Sequence, residues 1–164
     1  MEGKLLIQNG RVLPMTGKVI PKGSVLVENG KITAVAERIE VPDTGSTEII
    51  DASGCLVMPG LIEAHCHVGI TEEKKGMEGD DCNENVSPVT PWLRAIDAVN
   101  TMDAAFDDAV RAGITSIMAG PGSSNVVGGQ FAFIKTKGRR IDDLIVKAPA
   151  AMKIAFGENP KVNF

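Results

Sequence analysis

Between Val110 and Ile114 the chain has only Arg111, Ala112 and Gly113 in which to pass from a helical pattern to a strand-like one, and this restricts the fold more than any other feature. In NTMDAAFDDAVRAG, Met102, Phe106, Ala109 and Val110 recur at helical spacing; Thr101 stands where a cap is expected, acids gather toward the start, and Gly113 supplies the stop. The run ITSIMAG, Ile114 to Gly120, then reads as a buried strand. A helix joined so directly to a strand is the αβ half of a βαβ unit, which implies a parallel sheet.

Two further strands are expected in the same sheet. One is Leu61 to Cys66, in LIEAHCH, entered through the sharp Pro59-Gly60 turn; the other is Met152 to Phe156, in AMKIAFG, preceded by an apolar helix candidate at Ile141 to Lys147. The stretch from Val68 to about Pro91 is too rich in acids and asparagine to be core. The basic run KTKGRR, Lys135 to Arg140, reads as a solvated turn.

The first part of the chain has a different texture. Two β-rich runs in SVLVENGKITAVA meet at Asn29-Gly30, a pair that supplies the two positive-φ residues of a tight hairpin. A similar Asn9-Gly10 follows KLLIQ, and TEIIDASGCLV adds two short runs around Ser53-Gly54. Five or six such strands make a small β-sandwich that needs something else to cover its apolar edges. The expected organisation is a β-sandwich over residues 1–57 and an α/β region over residues 58–164.

Composition narrows the functional classes. A net charge of -4 argues against a nucleic-acid partner held by phosphate attraction. No apolar run approaches the roughly 20 residues that span a bilayer, so no membrane partner is expected. The three cysteines, Cys55, Cys66 and Cys82, show no C-x-x-C spacing, which suits reduced thiols in the cytoplasm rather than a disulfide framework.

His65 and His67 are the only two histidines in the chain, and they lie one residue apart in VMPGLIEAHCHVG. Side chains alternate along a strand, so the two imidazoles share a face and Cys66 takes the other. Neutral imidazole is the commonest metal ligand near neutral pH, and a pair on one face defines two coordination positions for one ion. Read in isolation, such a pair is more often two exposed or core histidines that hold no ligand.

The run IIDASGCLVMPGLIEAHCH resembles the first-strand signature of the amidohydrolase superfamily, in which an Asp-x-x-Gly stretch and a Pro-Gly-Leu-Ile turn lead into His-x-His. The segments DDCNENVSPVTPWLRAIDAVN, AGITSIMAGPGSSNVVGGQ and AFGENPK are similar to the imidazolonepropionase-like branch, so that the resemblance covers essentially the whole chain. Glu63 stands where many relatives carry Asp.

The resemblance implies a β-sandwich followed by the first three βα units of a TIM-type (β/α)8 barrel, and a hydrolase of non-peptide C–N bonds in a small-molecule substrate. It carries over His65 and His67 as metal ligands, and by analogy with members that use an acid from the third strand it offers Glu158 as a further one. The ion would be divalent, with zinc the first choice and iron or manganese also suited to imidazole and carboxylate donors. The glycine-rich AGPGSSNVVGGQ is neither a Walker loop nor a dinucleotide loop, and the resemblance gives Gly122, Asn125 and Gln130 a place in the substrate pocket.

A whole barrel of this kind takes roughly 250 residues, whereas roughly a hundred follow Leu61 here. Later histidines, a bridging lysine and the aspartate general base are expected outside this sequence, which leaves the catalytic residues unknown. The expected partner is therefore a complementary C-terminal polypeptide or further copies of the chain. The alternative is a non-catalytic truncated or interaction module that keeps only the start of the fold.

Overall fold

A computed structural model describes residues 3–41, 47–73 and 75–164. It divides into two compact units, Met1–Pro59 and Gly60–Phe164, two residues beyond the expected 57/58 divide.

The first unit carries β1 (Lys4–Val12), β2 (Ile20–Glu28), β3 (Lys31–Ala36), β4 (Thr47–Asp51) and β5 (Leu56–Val57). They form one mixed sheet in the order β3-β2-β1-β4, with β5 also on β1. The β2–β3 hairpin turns at Asn29 and Gly30, with φ of 51° and 76°, as the dipeptide predicts. Asn9-Gly10 does not turn the chain. It sits inside β1 as a bulge, with register shifts against β2 on either side of Gly10. Asn9 adopts φ 65°, and a Cβ on Gly10 would lie 2.5 Å from a methyl of Val57, so the pair bends a continuous strand against its neighbour.

The expected sandwich becomes a single layer among the described residues. The second layer is missing because β4 and β5 both join β1 in parallel, extending the sheet that β2 and β3 already share. One apolar face is left with a hollow of about 350 Å³ lined by residues such as Val12, Val25, Ile32 and Met58.

The second unit contains β6 (Leu61–Cys66), α1 (Ala104–Arg111), β7 (Ile114–Ala119), β8 (Val127–Lys135), α2 (Ile141–Leu144), β9 (Ile145–Ile154) and α3 (Glu158–Asn163). The sheet order is β6-β7-β8-β9. β6 and β7 pair in parallel with α1 between them in sequence, which is the βαβ unit expected. β8 runs against both of its neighbours, so the sheet is mixed where a parallel one was expected. Glycines 128 and 129 and the preceding loop disguise β8 in the sequence, although VGGQFAFIK has its small and bulky residues well placed for a buried strand.

Local chemistry moves three further boundaries. The cap of α1 is Asp103, not Thr101: its carboxylate accepts from the Ala105 N–H at 3.0 Å and also from Glu73 N–H, while the Thr101 hydroxyl donates to the Arg139 carbonyl. The helix expected over Ile141 to Lys147 lasts one turn, Ile141–Leu144, after which the backbone is already extended at Ile145 and pairs with β8. β9 consequently begins at Ile145, seven residues earlier than the expected third strand. Gly113 does end α1, at φ 81°.

Phe106 from α1, Ile117 and Ala119 from β7, Ala132 and Ile134 from β8, and Ile70 form the core of this unit. Among the described residues no helix is long and apolar enough to cross a membrane.

Candidate functional site

His65 occupies the last turn of the β6 pleat and His67 follows immediately after the strand. Their ring centroids are 5.7 Å apart and the rings nearly perpendicular, at 83°. Cys66 points to the opposite side, where its thiol lies 3.6 Å from the Met118 carbonyl. Burial pushes the Cys66 thiol above its ordinary pKa, so it is kept as an inert packing group.

Each imidazole has its own support. Nδ1 of His67 lies 2.7 Å from the carbonyl oxygen of Gly120, just beyond β7. A carbonyl can only accept, so Nδ1 is the donor in this contact, and in the neutral ring the free lone pair is then on Nε2. His65 packs edge-on against the Phe131 ring of β8, with centroids 5.3 Å apart. Its backbone N–H donates to the Glu63 carboxylate at 3.0 Å, which ties that acid down locally.

A third group was not singled out in the sequence. Lys153 of β9 is 9% exposed, and its Nζ lies 3.3 Å from Nε2 of His65 and 6.0 Å from the Phe131 centroid. The available signal was a lone charge inside the apolar AMKIAF run, since a buried lysine needs a partner. This chain therefore brings a lysine of its own beside His65.

Glu158 is not brought to the histidines. It begins α3 with its side chain 86% exposed and faces Lys161 at 4.0 Å. Among the described residues no three of His, Cys, Asp and Glu form a group able to hold a metal.

Gly122, Asn125 and Gln130 each make a hydrogen bond to a carbonyl of the segment between Cys82 and Pro91. Asn125 is 1% exposed, and its amide donates to the carbonyls of Glu84 and Ser87, each at 2.8 Å. The Gln130 amide donates to the Pro91 carbonyl at 3.0 Å, and the Gly122 N–H to the Cys82 carbonyl at 2.7 Å. A Cβ on Gly122 would lie 2.4 Å from Oδ1 of Asn83. Gly122 and Asn125 in the loop before β8, and Gln130 on β8, thus fasten the segment from Cys82 to Pro91, because carbonyls that a folded loop buries must find donors.

That loop and the residues after it line a cavity of about 320 Å³ with Asp81, Glu84, Cys82 and Arg94. Arg94 grips Asp97 through two bonds of 2.8 and 2.7 Å, which lowers the Asp97 carboxyl and raises the guanidinium. Burial pushes the Cys82 thiol up.

The donor chemistry suits a divalent ion in kind. Two imidazoles share a face, one already has its tautomer fixed, and zinc, iron and manganese all accept such nitrogens. In the arrangement observed, Lys153 stands at the nitrogen that His65 would offer.

No family model matches the chain. The amidohydrolase tasK of Hapsidospora irregularis is 34% identical over 152 residues, covering 85% of this chain and 15% of its own length. A 5-methylthioadenosine/S-adenosylhomocysteine deaminase of Symbiobacterium thermophilum is 46% identical over 70 residues, which is 42% of this chain and 16% of that protein. The crystal structure of an amidohydrolase from Thermotoga maritima superposes with a TM-score of 0.89 at 44% identity, over 96% of this chain and 40% of that one. The chain thus spans less than half the length of each of these relatives. With the His-x-His strand, its supporting carbonyl and this agreement in sequence and fold together, the chain belongs to the amidohydrolase superfamily, whose N-terminal part it matches.

Proposed function

We propose that this chain supplies the two-histidine portion of a metal-dependent hydrolase that cleaves a non-peptide C–N bond in a small molecule, on the first strands of a (β/α)8 barrel. Relatives named amidohydrolase, deaminase and dihydroorotase support the reaction class. The observation that carries the metal reading is the His67–Gly120 contact, which in the neutral ring makes Nε2 the nitrogen open to a ligand, on the face it shares with His65.

When bound, a divalent ion, with zinc the first choice, is a Lewis acid that makes water nucleophilic near neutral pH and polarises the substrate. The residues of this chain hold and orient. Gly120 fixes the His67 ring, and the Phe131 edge fixes the His65 ring. The Lys153 amine must move away from Nε2 of His65 before both imidazoles can serve one cation. Cys66 takes no part, being turned to the core with its thiolate disfavoured.

The test is calorimetric titration of the chain and of His65→Ala and His67→Ala with zinc chloride, with circular dichroism as the check on folding. Each substitution is expected to weaken zinc binding by at least about tenfold, since loss of a ligand exceeds loss of a ligand's support. Binding that survives both substitutions unchanged removes the reading.

A further inference from the structure

Asparagine followed by glycine occurs at two places in the first unit, and the fold treats the two pairs oppositely. Asn29-Gly30 is the exposed tip of the β2–β3 hairpin, whereas Asn9 is half-buried and Gly10 buried within β1. Such a pair carries a reaction of its own. Because glycine has no side chain to obstruct it, its backbone nitrogen can reach the amide carbon of the asparagine before it.

The hairpin tip leaves that path open. A Cβ on Gly30 would meet nothing within 4 Å, so no neighbour crowds the Asn29–Gly30 peptide. The Asn29 N–H is anchored at 3.0 Å on the Gly3 carbonyl, but this bond lies upstream of the peptide that must rotate. Asn9 is held instead. Its amide donates to the Asp51 carboxylate at 2.9 Å, and that carboxylate accepts from the Ser53 N–H and hydroxyl at 3.2 and 2.7 Å. A Cβ on Gly10 would lie 2.5 Å from a Val57 methyl and 3.1 Å from the Ala52 Cβ, which leaves the peptide no room to turn. A carboxylate in place of the Asn9 amide would also face the like charge of Asp51.

We propose that Asn29 deamidates spontaneously in the folded chain while Asn9 does not, and that the isoaspartyl product loosens the β2–β3 hairpin. The Gly30 backbone nitrogen attacks Cγ of Asn29. The N–Cγ bond forms, the Cγ–Nδ2 bond breaks, and Nδ2 leaves as ammonia with the proton that the backbone nitrogen gives up. Water then opens the cyclic imide. Addition at Cγ gives an ordinary aspartyl residue, and addition at the main-chain carbonyl routes the chain through Cγ as isoaspartate. Aspartate before glycine suits the same tight turn as asparagine. Isoaspartate adds a backbone atom between Glu28 and Lys31, which face each other across the turn, and the length of a hairpin loop sets the register of its strands.

The experiment ages the folded 164-residue chain at mildly alkaline pH and follows it by tryptic mass mapping, which places Asn9 in the peptide of residues 5–11 and Asn29 in that of residues 23–31. Asn29 is expected to convert at least about tenfold faster than Asn9, because an exposed tip opens at a far lower free energy than a paired strand. In urea, where neither pair is held, the two should convert at similar rates. Hydrogen exchange over Lys31–Ala36 should be faster in the isoaspartyl fraction than in the Asn29→Asp variant, which is expected to keep the hairpin. Equal rates at the two sites in the folded chain overturn the proposal, as does an Asn29 that converts only in urea. An isoaspartyl fraction in which β3 exchanges no faster than in Asn29→Asp overturns the part that concerns the hairpin.

Discussion

Nδ1 of His67 lies 2.7 Å from the carbonyl oxygen of Gly120, so the end of β6 is tied to the end of β7 through the ring proposed as a metal ligand. The tautomer of that ring follows from the contact. Nitrogen-15 NMR of the metal-free chain is expected to show His67 with a protonated Nδ1 and an unprotonated Nε2. A ring protonated on Nε2 alone would contradict the assigned role.

Gly120 has a second constraint. A Cβ there would lie 2.2 Å from Cδ1 of Phe131, which is itself the edge-on support of His65. Gly120→Ala should force the ring aside, cost about 1–3 kcal/mol in urea unfolding, and weaken zinc binding as His65 loses its position. Unchanged stability would show that Phe131 has room to move.

Asn125 satisfies two loop carbonyls with one amide group. Asn125→Ala leaves both without that donor, with an expected loss of about 2 kcal/mol. Asn125→Asp should cost more, because a carboxylate then faces two carbonyl oxygens. Hydrogen exchange is expected to speed up between Glu84 and Thr90 in both variants, and if protection there is unaffected the amide does not fasten the loop.

The cysteines should separate by environment. Cys55 is exposed, Cys66 half-buried and Cys82 buried, and burial raises the Cys66 and Cys82 thiols from the ordinary value of 9.0. Ellman's reagent at pH 8 is expected to titrate one thiol quickly and the other two only on unfolding. Because the folded-state pKa values are raised, the unfolded chain releases these protons first. The contribution of these two thiols to stability is therefore present below their ordinary value of 9.0 and is lost as the pH rises through their raised folded-state values. A denaturation midpoint that stays level from pH 8 to 10 would remove this linkage.

Much of the layout was legible locally. Leu61–Cys66 and Ile114–Ala119 are strands at the expected residues, Gly113 stops the helix, and Asn29-Gly30 turns the hairpin. Each depends on neighbours in sequence: side-chain alternation, or a positive φ that glycine and asparagine tolerate. Asn9-Gly10 shows the limit of such signals, because the same dipeptide that turns one chain segment becomes a bulge where a ladder continues on both sides. β8 was hidden by its glycines, whose places are set by close approach of another segment: a Cβ on Gly129 would lie 2.7 Å from the Leu93 carbonyl oxygen. The absent second layer of the first unit was equally out of reach, since it depends on which strand β4 chooses as a neighbour.

The candidate site divides along the same line. His65 and His67 come to one face because they are two residues apart where extended chain runs through the end of β6, and the sequence alone determined that much. Only the tertiary structure decided that Lys153, 88 positions from His65, reaches its ring, that Gly120 holds His67, and that Glu158 points to solvent. Alternation acts over a few ångströms of backbone, whereas these contacts depend on strand order and register, which are fixed by burial across the whole sheet.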